Sequence, residues 1–382
     1  MKMVPILYQT QIENQLPRSE YLILCIVVNL LQSIKKVSLE ALATAFPLPI
    51  LFDSRRKKIQ RFLSMPQLKI ETIWFPLIKI WLSEYFPLSQ VLYIAIDRTT
   101  WGTINLLVIS LVWEKRAIPI YFELLPKLGN SNFSEQRAAF SKILSLFKEY
   151  KTVVLGDREF CSVKLGNWLK EQKMYFCLRL KKSEFIENEN ALWIQLNDLG
   201  LSPGLSFYLQ GIKVTKSHKT PGFNVASKWK RKYRGIAPEE GWFILTNLDS
   251  LDTAINAYCR RFRIEEMFRD FKSGGYNLEK TGVTGERLIS LLLLISIAYT
   301  SASLEGKRIK RMGVQKYVGR VKELGREERR HSSFYIGLYG HSWVNFMEPY
   351  REAVRELMKL SRNKLKYYQQ GLRAMKLIMS TL

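Results

Sequence analysis

Three almost wholly apolar runs follow one another closely: LYIAID (92–97), INLLVISLVW (104–113) and IPIYFELL (118–125). They are rich in β-branched and large aliphatic residues, and only short polar links separate them. The pattern predicts three buried strands paired antiparallel, apolar on both faces and so covered from both sides. A helical stretch, SEQRAAFSKILSLFKEY (134–150), leads to TVVLGD (152–157), a further buried strand ending on an acid. A short helix and YFCLRL (175–180) complete the series. Three strands, a helix, a strand, a helix and a strand predict an α/β domain.

The remaining composition bounds the function. The chain has 382 residues, a length that suggests two or three domains. Its apolar fraction of 47% with 12% aromatics excludes disorder for most of it. Cys25, Cys161, Cys177 and Cys259 lie far apart, which argues against a disulfide scaffold or zinc ribbon and fits a reducing cytosol. With only His218, His331 and His341, a His-rich metal site or a Ser-His-Asp hydrolase has little to draw on, so carboxylates must carry any metal chemistry. Lys and Arg number 59 against 34 acids, a formal charge of +25. That excess points to a polyanionic partner, nucleic acid before membrane.

Flanking and interrupting segments differ in character. Residues 1–85 read as helical, with SLEALATAF (38–46) followed by SRRKKIQRFLS (54–64) across Pro47 and Pro49. Arg55, Arg56, Lys57, Lys58 and Arg61 fall in that second helix, compatible with a helix-turn-helix-like DNA reader or with a solvated basic face. Residues 86–182 form the first part of the core and 183–250 a β-rich insertion with turns at Pro203-Gly204 and Pro221-Gly222. From Lys213 to Arg234 there are eight Lys or Arg, among them Lys228, Lys230 and Arg231, and no acid. Phe223, Trp229 and Tyr233 are interleaved, which suits a nucleic-acid surface or a disordered basic loop. Residues 251–304 return to helix, and 305–382 form a basic helical region with 18 Lys or Arg against 7 acids. YLILCIVVNLL (21–31) is too short to span a bilayer, and LISLLLLISIAYTSASL (288–304) reads as a buried helix. No secretory signal is evident, so a soluble, cytoplasmic protein without a membrane partner is expected.

The chemistry concentrates in YCRRFRIEEMFRDFK (258–272). On a continuous helix Tyr258, Arg261, Glu265 and Lys272 share a sector of roughly 60°, beside a core-facing stripe of Ala257, Ile264, Met267, Phe268 and Phe271. Glu266 points elsewhere. Glu265 could simply pair with Arg261 and Arg269 one turn away. Two further acids change that balance, because Asp97 and Asp157 each end a buried strand, where an ionised side chain is costly without compensation. With Glu265 they make an oxygen-rich set of the kind Mg²⁺ prefers, and two such ions can activate water and stabilise a leaving oxygen in phosphodiester cleavage.

The spacing Tyr-x2-Arg-x3-Glu-x6-Lys, with AIDRTTWG around Asp97 and LGDREF around Asp157, resembles the YREK signature of bacterial insertion-sequence transposases, the insertion sequence 4 family of the DDE group. The resemblance covers roughly residues 50–300, with Phe262 standing where the family commonly has Trp. It implies an α/β fold with an RNase H-like mixed-sheet catalytic core, a β-rich insertion, and helical N- and C-terminal regions. It implies that Asp97, Asp157 and Glu265 ligate two Mg²⁺ or Mn²⁺ ions, and that Tyr258, Arg261 and Lys272 hold the phosphates of the element's end. Trp242, in WFILT, matches the insertion Trp on which related enzymes stack a flipped base, although an ordinary core Trp at a strand start reads equally well.

The expected function is cut-and-paste DNA transposition in a bacterial cytoplasm, on the nucleoid. Partners would be double-stranded DNA, at terminal inverted repeats and at the target, and a second copy of the chain. Two alternatives stand beside it: an RNase H-like nuclease without strand transfer, and a catalytically silent DNA-binding descendant. A tyrosine-recombinase role for Tyr258 is disfavoured, since no Arg-His-Arg set accompanies it.

Overall fold

The computed structural model describes residues 6–187, 191–215, 220–231, 239–325, 330–360 and 362–380. Of the expected basic surface, Lys216, Lys219, Lys232, Tyr233 and Arg234 lie outside them. The chain opens with α1 (Ile6–Glu13), α2 (Arg18–Ile34), α3 (Leu39–Ala45), α4 (Phe52–Leu63), a π-turn at Ile70–Trp74 and α5 (Phe75–Tyr85). Strands β1 (Leu92–Trp101), β2 (Ile104–Trp113) and β3 (Arg116–Leu124) follow, then α6 (Phe133–Phe147), β4 (Thr152–Gly156), α7 (Val163–Glu171) and β5 (Tyr175–Arg179). Next come β6 (Phe185–Glu187), β7 (Trp193–Gln195), β8 (Ser206–Val214), β9 (Thr220–Lys228) and β10 (Trp242–Thr246). Helices α8 (Leu251–Cys259), α9 (Phe262–Phe271), α10 (Gly285–Arg311), α11 (Ser333–Met347), α12 (Arg351–Leu360) and α13 (Leu365–Met379) complete it.

Two compact units result: residues 82–268, and residues 1–81 together with 269–382. The first is built on a ten-stranded mixed sheet of order β3-β2-β1-β4-β5-β10-β9-β8-β6-β7. Strands β1, β2 and β3 are antiparallel neighbours, and β4 and β5 run parallel to β1. This is the RNase H-like mixed sheet. The apolar runs explain it, because β2 from Asn105 to Trp113 and all of β4 are buried, as strands covered on both faces must be. The β-rich insertion does not form a sheet of its own. Its strand β10 pairs antiparallel with β5 and extends the same sheet through β9 and β8.

Three expectations of local structure are corrected. Strand β1 does not stop at Asp97 but runs four residues further to Trp101, because Asp97 to Trp101 continue to pair with Val108 to Ile104 of β2. Thr99, Thr100 and Trp101 are strand-favouring residues that sustain this extension. The Pro221-Gly222 turn lies inside β9, with Gly222 in the left-handed region at φ +86° beside a register shift against β8. The helix expected over 258–272 breaks into α8 and α9. At the break the amides of Arg260, Arg261, Arg263 and Ile264 each bond the carbonyl three residues back, tightening the chain into a 3₁₀-like turn.

In the other unit, α3 is capped by Ser38, whose hydroxyl accepts from the Ala41 amide, and α4 packs beside α3. Helix α10 is long and apolar enough to cross a membrane, yet its apolar stretch is almost wholly buried within the unit. It packs closely on α11 where Gly306 and Gly337 meet, and a Cβ at either position would run into the opposite backbone.

Candidate active site

The parallel register of β1 and β4 pairs Ile96 with Gly156, so the next residues, Asp97 and Asp157, emerge side by side. Strand β4 ends there while β1 continues along β2 alone, leaving both acids at a notch in the sheet. Asp97 has a side chain only 15% exposed. Burial drives its carboxyl up to about 7, Arg261 pulls it back down, and Asp157 and Glu265 push it up as like charges. The three acids therefore share one electrostatic neighbourhood.

Arg261 stands among them, at the break between α8 and α9. Its side chain is 7% exposed, and its Nη1 donates to Asp97 Oδ2 at 3.3 Å while Nη2 donates to Glu265 Oε1. Burial works against its charge, but Tyr258, Glu265 and Asp97 together hold its pKa above the ordinary value. Glu265 is the most open of the three acids, its side chain 46% exposed on the first turn of α9. Glu266 turns away to pair with Arg116 at 3.1 Å, and Ile264, Met267 and Phe271 are buried as the helical stripe requires.

Tyr258 is fully buried, its ring edge-on to Trp242 at 5.1 Å. Trp242 also packs on Phe262 at 6.0 Å and carries the ammonium of Lys230 over its ring at 5.6 Å. Lys228 pairs with Trp242 across β9 and β10, and Lys230 and Arg231 are exposed. The Arg261 guanidinium lies 4.9 Å from the Phe262 ring centroid. A continuous run of cation and aromatic groups thus leads from Lys230 through Trp242 and Phe262 to Arg261 and the acids.

Not every expected residue joins this group. Lys272 follows the end of α9, belongs to the helical unit and pairs with Glu279 at 2.8 Å. In α4, Arg56 is paired with Glu40 at 3.0 Å and Arg55 reaches the Phe46 carbonyl, whereas Lys57 and Arg61 are exposed and Lys58 is half-buried. Five charged neighbours were overlooked by sequence reasoning. Arg98 and Glu159 form a largely buried ion pair, and Glu240 binds both Arg158 and Arg179. Arg98, Arg158 and Glu159 stand inside the quoted motifs AIDRTTWG and LGDREF, so their adjacency to the acids was there to be read.

Among the described residues no three His, Cys, Asp or Glu side chains already converge into a metal cage. The donor chemistry nonetheless fits a hard divalent cation. Three carboxylates share one electrostatic neighbourhood, the most buried resists ionisation, and Arg261 bridges two of them, Asp97 and Glu265.

Residues 129–300, somewhat under half of the chain, match the family model of the transposase DDE domain. That match supports a DDE transposase and DNA transposition in general; it includes Asp157 and Glu265 and begins downstream of Asp97. Among solved structures the chain is similar to a piggyBac transposase synaptic complex with hairpin DNA, determined by cryo-EM, at 14% identity and a TM-score of 0.44. The similarity spans 92% of this chain and 79% of that one. Comparison with curated proteins gives no match.

Proposed function

We propose that this chain is a bacterial insertion-sequence transposase of the YREK type, which cleaves DNA at the ends of its element and joins the freed end to a target. The observation that carries the reading is the pairing register that sets Asp97 beside Asp157, with Arg261 linking Asp97 to Glu265. Asp97, Asp157 and Glu265 would hold two Mg²⁺ or Mn²⁺ ions. Bound there, such ions would lower the pKa of an attacking water and neutralise charge on the scissile phosphate.

The chain's own residues position the DNA. Arg261 exchanges one of its carboxylate partners for a phosphate oxygen, a bidentate group for which guanidinium is well shaped. Tyr258 lies beneath it and shapes its approach, while Lys272 contributes a further cation to the strand. Trp242 and its neighbour Phe262 offer ring faces to an unstacked base, and Lys228, Lys230 and Arg231 neutralise the adjoining backbone. On the helical unit, Arg55, Arg56, Lys57, Lys58 and Arg61 serve the terminal repeat. In the first step water forms the new bond to phosphorus and the 3′-oxygen leaves as a hydroxyl. In the second that hydroxyl attacks another phosphodiester, so no covalent protein intermediate is needed. Two copies of the chain, acting on the nucleoid in the cytoplasm, would pair the two ends.

The test is cleavage of supercoiled plasmid carrying the element's ends, with Mg²⁺ or Mn²⁺, by wild type and Asp97→Ala. Metal-dependent cuts at the ends, lost in the variant, are expected. Cuts scattered over the plasmid would instead indicate a nuclease, and binding without cutting would indicate a silent DNA-binding protein.

A further inference from the structure

Each of the paired acids is fixed by the residue close behind it in sequence. The Arg98 amide donates to Asp97 Oδ1 at 2.8 Å, and the Glu159 amide donates to Asp157 Oδ1 at 2.9 Å. The side chains of these same two residues are joined to each other. Arg98 Nε donates to Glu159 Oε1 at 3.0 Å and Oε2 at 3.1 Å, and Nη2 donates to Oε2 at 3.0 Å. A chain of contacts from Asp97 through Arg98 and Glu159 to Asp157 therefore ties strand β1 to the loop after β4, just beyond the point where their ladder stops.

The pair is itself held. Arg98 Nη1 donates to Asn105 Oδ1 at 3.0 Å and Nη2 to Asn130 Oδ1 at 3.2 Å. Glu159 Oε1 accepts from the Ser131 amide at 2.9 Å and the Ser131 hydroxyl at 3.0 Å. Both side chains are about 85% buried, at 15% and 13% exposure. A buried ion pair contributes little net stability compared with apolar side chains of the same size, because desolvation offsets the attraction. What a saturated, bidentate pair does supply is geometry.

We infer that the Arg98–Glu159 pair is a positioning brace that sets the spacing of the Asp97 and Asp157 carboxylates for divalent-cation binding. The inference rests on the metal reading proposed above and deepens it. Neither residue ligates the ions; both act through the acids their amides hold, as outer-shell partners act on metal ligands.

Mn²⁺ titration of the full-length protein, followed by electron paramagnetic resonance of the free ion, tests it with Glu159→Gln and Arg98→Lys. Both variants should retain the wild-type far-UV circular dichroism and bind Mn²⁺ about 10–100-fold more weakly. Plasmid cleavage should then need more Mn²⁺ yet recover at saturation, whereas Asp97→Asn should not recover. A folded variant with wild-type Mn²⁺ affinity overturns the brace, as does a cleavage loss that saturating Mn²⁺ fails to restore. Should Glu159→Gln fail to fold, Arg98→Lys decides alone. Wild-type protein that binds no Mn²⁺ would overturn the metal reading and the brace together, an outcome distinct from failure of the brace alone.

Discussion

Two buried acids, one in each unit, show opposite ways of keeping a carboxyl away from water. Asp97 in the sheet unit has partners that favour its charge, the Arg98 amide and the Arg261 guanidinium shared with Glu265, set against the like charges of Asp157 and Glu265. Glu305 in the helical unit lies on α10, buried, and among the described residues its Oε2 has no hydrogen-bond partner. Burial raises both, to about 7 for Asp97 and about 8 for Glu305, where Arg308 opposes it. Desolvation is thus partly offset by a shared cation and a backbone donor in one unit and left to keep the acid protonated in the other. A fold tolerates the second arrangement. The first requires many residues to cooperate, which is what a site, rather than a core, demands.

The sharpest way to break the contrast is to neutralise one acid from the first group. Glu265→Gln preserves shape and removes the charge that Arg261 and a divalent ion would both need. End-directed cleavage should fall to background while binding to the element's ends, measured by gel shift, stays close to wild type. Joint loss of binding and cleavage would remove Glu265 from the metal ligands and make it a structural partner of Arg261.

The second effect is on stability and concerns Glu305. Its folded pKa, about 8, lies above the ordinary glutamate value of 4.5, so the folded chain binds more protons than the unfolded one between those limits. Stability from this group is fully present below about pH 4.5 and is lost as pH rises through 8. Glu305→Gln cannot ionise, so its urea midpoint should gain on wild type from pH 5 to pH 9. Parallel pH profiles for the two proteins would show that Glu305 is charged in the fold, and the two units would then differ less than the structure indicates.

Much of the sheet unit was legible because strands buried on both faces write themselves as unbroken apolar runs. The runs at 104–113 and 152–157 gave β2 and β4 nearly to the residue. The end of β1 was misjudged for a physical reason: polarity begins at Asp97, but pairing to β2 continues through Arg98 to Trp101. Periodicity likewise put Tyr258 and Glu265 on one helix, since no Gly or Pro marks the break. The break lies where the buried Arg261 reaches two acids, one of them far away in sequence on β1. Arg98 and Glu159 carry no sequence signal that they pair, because 61 positions separate them and the register of β1 and β4 is what brings them together. The pairing of Glu240 with two arginines has no local signal at all.

The smallest expected effect tests the one signature residue that lies in the helical unit. Lys272 is half-buried and paired with the exposed Glu279 at 2.8 Å, and a surface pair of this kind contributes no more than about 1 kcal/mol to stability. Lys272→Ala should therefore leave the melting temperature nearly unchanged. If Lys272 gives up Glu279 for a backbone phosphate when DNA binds, it releases about one counterion, and the slope of log affinity against log salt should flatten by roughly one. Fluorescence anisotropy on an end duplex between low and moderate salt measures that slope directly. An unchanged slope would leave Lys272 as a surface partner of Glu279, with phosphate binding by the signature confined to the sheet unit, where Arg261 already carries the charge.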